Sequence, residues 1–154
     1  MKRGISFEIP NEYGTFLGDV LKPINTTEYS WRIGSGESYI VVDDKLDEEL
    51  FSADKKVMED KELKNLLENN RYYIIFADLQ AYPKGNISKI ETYEDFTESQ
   101  CELVLLVVDS THSTIYCKDN EKLKLFYKNA QDYGFEEVQY ITDENDTRTR
   151  LSVW

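Results

Sequence analysis

Apolar residues recur with helical spacing in three stretches of the chain. The first stretch begins after Asn11, a residue that can cap a helix, and ends at Pro23. Its apolar positions fall on one helical face: Tyr13, Phe16, Leu17, Val20 and Leu21. The second stretch, Asp60–Asn69, predicts a short surface helix. The third predicts a longer helix that is capped by Asp119 and stopped at Gly134. We therefore expect two to three amphipathic helices.

Alternating or continuous apolar runs predict the strands of a sheet. These runs are Gly4–Ile9, Tyr29–Ile33, Ser38–Val42, Tyr72–Tyr82, Glu102–Val108, Thr114–Lys118, Glu137–Thr142 and Arg148–Trp154. The glycines of Gly34-Ser35-Gly36-Glu37 predict a hairpin loop with positive φ angles. A loop over Asp143–Thr147 would join the last two strands, and a further helical turn is expected near Asp47–Phe51. Because short turns join many neighbouring strands, the pattern predicts an α+β fold with a largely antiparallel mixed sheet of about six to eight strands.

Length and composition favour one soluble domain spanning 1–154. The chain has 154 residues with 40% hydrophobic content, which is enough to build a core despite a net charge of −12. The longest apolar runs, Tyr72–Ala77 and Leu103–Val108, are far shorter than the ~20 residues that cross a bilayer. The first ten residues alternate between polar and apolar, unlike a signal peptide. We expect no membrane association and a cytoplasmic location.

Negative charge is concentrated in Asp43–Glu62, Glu91–Glu102 and Asp132–Asp146. These segments hold 20 of the 30 acidic residues but 4 of the 18 basic residues. An acidic surface repels phosphate and attracts basic partners, so we expect no nucleic-acid binding and consider a basic protein partner. The candidate contact residues are Asp43, Asp44, Asp47, Glu48, Glu49, Glu94, Asp95, Glu98, Asp143, Glu144 and Asp146. The same charge can also serve solubility alone.

The polar turn after Glu102–Val108 offers candidate catalytic chemistry. Asp109 beside His112 could orient a general base, and Ser110 or Thr111 could act as a nucleophile if the loop brings it within hydrogen-bond reach. The chain lacks the Gly-x-Ser-x-Gly elbow that would hold such a serine, and an ordinary polar hairpin turn explains the same residues. Both interpretations stay open, and the sequence favours a protein that is not an enzyme.

Metal and cofactor motifs are absent from the sequence. One histidine and two cysteines that form no Cys-x-x-Cys pair do not supply a structural zinc site. The loop Asp143–Thr147 lacks the following glycine and glutamate of an EF-hand. The Gly34-Ser35-Gly36 turn lacks the Gly-Lys-Ser/Thr ending of a phosphate-binding loop. We therefore expect no metal and no cofactor.

Short sequences in the first part of the chain and in its C-terminal half, from Leu103 to Trp154, carry a family resemblance. These are Met1–Pro10, Gly36-Glu37-Ser38-Tyr39, Val107-Val108-Asp109-Ser110, Tyr116-Cys117-Lys118-Asp119 and Tyr140–Asp146. With these residues the chain resembles an uncharacterised family of small acidic proteins from Bacillus and its relatives, domain-of-unknown-function family 2691. The resemblance covers nearly the whole chain and implies no activity, substrate or catalytic residue.

Two functional hypotheses follow from the sequence. The leading one is a non-enzymatic acidic interaction protein of the inhibitor, immunity or regulatory type, which binds a basic protein partner. The alternative is a small-ligand-binding domain or enzyme with its site near Asp109–His112. The first needs the acidic segments to share one face of the molecule, and the second needs a cavity beside His112.

Overall fold

The structure is a computed structural model that describes residues 1–153, in which nine strands and four α-helices are found. The strands are β1 (Lys2–Glu8), β2 (Tyr29–Ile33), β3 (Glu37–Val42), β4 (Lys45–Glu49), β5 (Val57–Met58), β6 (Tyr72–Pro83), β7 (Leu103–Val108), β8 (His112–Cys117) and β9 (Glu136–Thr142). The helices are α1 (Phe16–Val20), α2 (Glu62–Glu68), α3 (Tyr93–Glu98) and α4 (Asn120–Asp132). None of these helices is long and apolar enough to cross a membrane.

All strands belong to one antiparallel sheet. The order is β4-β3-β6-β7-β8-β1-β9, with β2 beside β6 and β5 beside β2. The predicted α+β class is confirmed. The sheet described over residues 1–153 has more strands than expected because β4 and β5, which are short and mostly exposed, lack an alternating apolar pattern.

The sheet is covered on both faces, and each face has its own core. Side chains alternate between the faces along each strand, so Leu79 and Leu105 pack beneath the helices, while Tyr82 and Leu106 point to the opposite side. On that opposite side the cover is mostly irregular chain. It consists of residues 84–101, which include α3, and of the C-terminal residues 147–153.

Several predicted elements are confirmed because their signals are local. Asp119 caps α4 by accepting hydrogen bonds from the backbone N–H groups of Glu121 and Lys122. Gly134 follows the helix with a φ of +77°, the conformation of a C-terminal stop. The continuous apolar runs form the interior strands β6 and β7.

Two expectations about helical segments were wrong. Helix α1 begins at Phe16 rather than just after Asn11, because Gly14 forms two backbone hydrogen bonds with Tyr72 and is held extended. The segment expected to form a helical turn near Asp47–Phe51 largely belongs to β4, where it pairs with β3 through Tyr39 and Glu49.

The expected hairpin at Gly34-Ser35-Gly36-Glu37 was also wrong. Strands β2 and β3 run in the same direction along one side of β6, with Ile33 opposite Leu79 and Glu37 opposite Phe76. Three residues therefore lie opposite two, which is a β-bulge. The glycines with positive φ among residues 1–153 are Gly85 and Gly134, so the bulge glycines do not serve that purpose.

The expected closing strand Arg148–Trp154 does not pair with β9. Strand β9 pairs with β1, and the C-terminal residues cross to the face opposite the helices. There Leu151 N–H donates to the carbonyl of Glu91, and Arg150 forms an isolated bridge with Thr92. Trp154 lies outside the described residues.

Candidate functional site

The bulge between β2 and β3 opens a cleft over the middle of β6. Gly34 N–H donates to the Asp78 carbonyl oxygen at 2.9 Å. A Cβ atom on Gly34 would collide with the Asp78 carboxyl group, and one on Gly36 would lie 2.7 Å from the carbonyl oxygen of Phe76. The bulge therefore needs glycine because a side chain would not fit. As a result, the Asp78 carboxyl group lies directly beside exposed backbone.

Asp78 is buried, and one of its carboxyl oxygens lacks a hydrogen-bond partner within residues 1–153. Its residue is 8% exposed, and its Oδ1 atom is a buried side-chain polar atom that has no hydrogen-bond partner within residues 1–153. Burial raises the pKa of Asp78 to about 6, while the nearby Arg32 guanidinium and the Gln80 side chain oppose the rise. Such a group costs folding stability, and a native protein keeps few of them.

Asp78 belongs to a row of polar side chains on one face of the sheet. Gln80 and Tyr82 follow it at alternate positions of β6, and Arg32 stands directly opposite Gln80 on β2. The Tyr82 hydroxyl lies 2.7 Å from Gln80 Oε1 and 2.8 Å from the Ser88 carbonyl oxygen. It is completely buried. Asp78 and Gln80 bring the row to the cleft, and at Asp78 one carboxyl oxygen, Oδ1, has no hydrogen-bond partner within residues 1–153.

Two cavities adjoin Asp78, one on each side of the bulge. The first, of about 470 Å³, extends toward β3 and the chain before β5, and the second, of about 250 Å³, reaches the C-terminal residues. Arg32, Gly34, Ser35 and Asp78 line both. The basic residues of the two linings are Arg32, Lys55, Lys56, Lys89 and Arg150, and the other acidic ones are Glu37, Glu49 and Glu91. The two linings together thus hold five basic and four acidic side chains, in a protein whose net charge is −12.

The chemistry available in the cleft suits binding. A carboxyl group with a pKa of about 6 can exchange a proton near neutral pH and can accept or donate a hydrogen bond. Cys101 lies behind it, but burial raises the pKa of that thiol to about 12, so it stays protonated. Within residues 1–153 no group of three or more histidine, cysteine or acidic side chains is arranged to hold a metal ion.

The predicted site at Asp109, Ser110 and His112 is the turn between β7 and β8. Asp109 and Ser110 adopt φ angles of +51° and +69°, and Asp109 and His112 are exposed. Ser110 Oγ donates to the Tyr73 hydroxyl at 3.1 Å, and His112 Nδ1 lies 3.4 Å from Glu8 Oε1. In the described chain these three residues line neither of the Asp78 cavities nor those beside α1, Tyr13 and Tyr116. The catalytic hypothesis stays a prediction, without a cavity to support it.

The predicted acidic contact residues are spread across the molecule. Asp43 and Asp44 form the turn before β4, and Asp47, Glu48 and Glu49 lie on β4 itself, at one edge of the sheet. Asp143, Glu144 and Asp146 follow β9, at the opposite edge. Six strand spacings separate these edges, roughly 29 Å along the sheet. Glu94, Asp95 and Glu98 lie on α3, over the second core.

Several of these carboxylates already have partners inside the protein. Asp143 accepts a hydrogen bond from Arg3 at 2.8 Å, and this contact lowers the pKa of Asp143. Asp146 accepts a hydrogen bond from the Tyr116 hydroxyl at 2.8 Å. Asp95 accepts from the backbone N–H groups of Glu91 and Thr92, which lowers the pKa of Asp95. Contacts within the protein therefore account for part of the acidic charge pattern.

Comparison with protein families matches residues 2–152 to the family described as "Protein of unknown function (DUF2691)". The chain belongs to this family. A relative named "Uncharacterized protein YncE", from Bacillus subtilis (strain 168), is 47% identical over 154 residues, which cover 99% of this chain and 100% of that protein. No solved structure matches the chain. The family resemblance noted from the sequence is confirmed, and the family description assigns no site.

Sequence reasoning missed Asp78 because it sits inside an otherwise apolar and aromatic strand. The available signal was the strand itself, since an interior strand seldom carries a charged residue unless that residue is paired or functional. The bulge beside it has no comparable signal. The bulge arises from the pairing of β2 and β3 along the same side of β6, which is a contact between residues far apart in the chain.

Proposed function

We propose that this protein binds a small polar molecule in the cleft beside Asp78. The supporting observation is Asp78, a buried residue that lines two cavities and whose Oδ1 atom has no hydrogen-bond partner in residues 1–153. A bound molecule that donates a hydrogen bond to the Asp78 carboxyl group would offset part of the cost of burying that group. Binding sites combine a cavity with a few polar groups that converge on it, and this cleft has that composition.

A screen of small metabolites by ligand-observed NMR tests the proposal. A hit should perturb the backbone amide signals of Gly34, Ser35 and Asp78 in the full chain, and Asp78→Asn should weaken its binding. The matched control is Asp19→Asn, which changes a partly buried carboxyl group in the separate cavity beside α1. That variant should bind as the unchanged protein does. Hits whose signals map to the α1 cavity, or no hits at all, would contradict the proposal.

A second candidate is contact with a basic protein through the β3–β4 edge. Here Asp47, Glu48 and Glu49 are exposed and form no ion pair within residues 1–153. The apolar side chains of Val42 and Leu46 are exposed beside them, which gives the acidic edge a possible anchor. The triple change Asp47→Asn, Glu48→Gln and Glu49→Gln should abolish capture of a purified partner at low salt. Changing Glu94 and Glu98 to Gln on α3 is the control, and equal loss in both variants would contradict this candidate.

A further inference from the structure

Two side chains of opposite charge in the cleft lack a full set of partners. The first is Asp78, whose Oδ1 atom has no hydrogen-bond partner within residues 1–153. The second is the guanidinium of Arg32, which is half-buried, projects from the same face of the sheet and forms no ion pair within residues 1–153. Asp78 lies diagonally across from Arg32, two positions from its direct partner Gln80. In antiparallel strands, diagonal neighbours on one face lie about 7–8 Å apart. Arg32 and Asp78 attract each other at this distance without forming an ion pair, which leaves a cation and a carboxyl group for one bound molecule to contact.

The surrounding charges strengthen the cationic side of the cleft. Lys56 and Arg150 line the two cavities and form no ion pair in the described chain, whereas Lys55 pairs with Glu62 and Lys89 with Glu91. Glu37 and Glu49 lie at the outer part of the larger cavity, and Glu37 accepts a hydrogen bond from the Tyr39 hydroxyl. Cys101, behind Asp78, stays neutral because burial raises its pKa to about 12.

A molecule bound in the cleft must interact favourably with both Asp78 and Arg32. A simple anion would match Arg32 but would face the acceptor of Asp78, and a simple cation would match Asp78 but would face Arg32. A molecule that carries both charges complements both groups. The smaller cavity, of about 250 Å³, is below the usual range of ligand pockets and favours a compact molecule.

We propose that the cleft binds a small zwitterion of the α-amino acid type, whose ammonium group donates to Asp78 and whose carboxylate faces Arg32. This rests on the proposed function, because it names the class of molecule that the same cleft takes. The two ends have different roles: the carboxylate is attracted to the basic side chains of the cleft, and the ammonium group pairs with the Asp78 carboxyl group.

Titration of the isotope-labelled full chain with matched probes tests the assignment. The probes are the protein amino acids, propionate as a carboxylate without an ammonium group, and alaninamide as an ammonium group without a carboxylate. At least one amino acid should shift the amide signals of Gly34, Ser35 and Asp78. Propionate and alaninamide should bind about tenfold more weakly or worse, since each lacks one charge-assisted contact.

The pH profile separates this assignment from the binding of an anion alone. Asp78 must be ionised to accept the ammonium group, and its pKa is about 6 in the free protein. Affinity for the amino acid should therefore be about tenfold weaker at pH 5 than at pH 7.5. Sulfate, which stays an anion across this range, should show the opposite trend. In Asp78→Asn the pH dependence of both probes through this range should disappear.

Variants make the test specific to the two groups. Asp78→Asn and Arg32→Gln should each weaken the amino acid about tenfold or more, while Asp19→Asn leaves it unchanged. Retained amide spectra will show that each variant is folded. Equal binding of propionate, or unchanged binding by Asp78→Asn, would overturn the assignment. If another metabolite binds in the cleft and no amino acid does, this inference fails and the proposed function stands. If nothing binds there, both fail.

Discussion

One aspartate, Asp78, lies within strand β6 beside the bulge, and another, Asp109, lies in the turn after β7, yet the two carboxyl groups differ in how they are solvated or hydrogen-bonded. Asp109 is exposed at the end of a hairpin, where water solvates its carboxylate. Asp78 is buried in the middle of β6 and retains an oxygen without a partner in the described chain. Polar side chains are common at turns. A buried polar atom without a hydrogen-bond partner inside a strand is rare in native proteins and requires an explanation. The comparison therefore favours the bulge as the functional site.

The largest expected effect concerns the pH dependence of stability. Because burial raises the pKa of Asp78 to about 6, the folded protein holds a proton that the unfolded chain has already lost above its ordinary pKa of 3.8. This contribution is complete below pH 3.8 and is lost as the pH rises through about 6, so the Asp78 contribution to the free energy of unfolding should fall by about 3 kcal/mol in total.

Asp78→Asn removes this titration. Relative to the unchanged protein, the variant should gain about 2 kcal/mol in free energy of unfolding between pH 4 and pH 7, measured by urea denaturation. The comparison of the two proteins cancels the contributions of the other acidic groups. A difference that is constant over this range would mean that the Asp78 carboxyl group is solvated like an ordinary surface aspartate.

The second effect tests why the bulge contains glycine. Gly34→Ala should lower the free energy of unfolding by about 1–3 kcal/mol, because the new methyl group meets the Asp78 side chain. Most of this loss should vanish in an Asp78→Ala background, where the colliding carboxyl group is absent.

Gly85→Ala is the matched control for that double-mutant cycle. Gly85 has a φ of +79° and no atom within 4 Å of the added Cβ, so its cost of about 1–2 kcal/mol arises from backbone conformation alone. It should not depend on residue 78. Equal coupling at both glycines would show that the collision at Gly34 is not the cause.

A smaller effect is expected for two tyrosines, one in the polar row that contains Asp78 and one beside the Asp109 turn. Tyr82→Phe removes the completely buried hydroxyl near Gln80 and Ser88 and should cost about 1–3 kcal/mol. Tyr73→Phe removes a hydroxyl that contacts Ser110 and Asn11 at the half-exposed turn and should cost less than about 1 kcal/mol. Chemical denaturation measures both. A larger loss of stability for Tyr73→Phe than for Tyr82→Phe would show that the polar contacts at the turn contribute more to stability than those near Asp78.

The smallest effect is expected at the turn itself. Asp109→Asn and His112→Gln change exposed side chains and should alter the free energy of unfolding by less than about 0.5 kcal/mol each. Neither should change binding of a probe that occupies the Asp78 cleft. Loss of that binding in either variant would reinstate the turn as part of the site.

The sequence predicted those parts of the fold whose signals are local. Helix α4 was predicted from its apolar face, from Asp119 as its cap and from Gly134 as its stop, and the structure has all three features. Strands β6 and β7 followed from continuous apolar runs. These elements are specified by residues close together in the chain, so sequence spacing is sufficient to find them.

The candidate site could not be predicted in the same way, because it depends on pairing across the sheet. The Gly34 bulge exists only when β2 and β3 share one side of β6, and a Gly-x-Gly turn is equally compatible with a hairpin. The apolar pattern of Tyr72–Tyr82 places Asp78 in an interior strand and indicates nothing more about it. Its missing partner is a property of the folded environment, and spacing along the chain does not reveal it.

Titration of the Asp78 side-chain carboxyl carbon by NMR tests the central claim most directly. In the free protein the account predicts a pKa of about 6 for Asp78. A saturating zwitterion should then lower this pKa, because the bound ammonium group favours the ionised form. A pKa of Asp78 at or below 3.8 in the free protein would contradict the account, since it would show a carboxylate already satisfied within the fold.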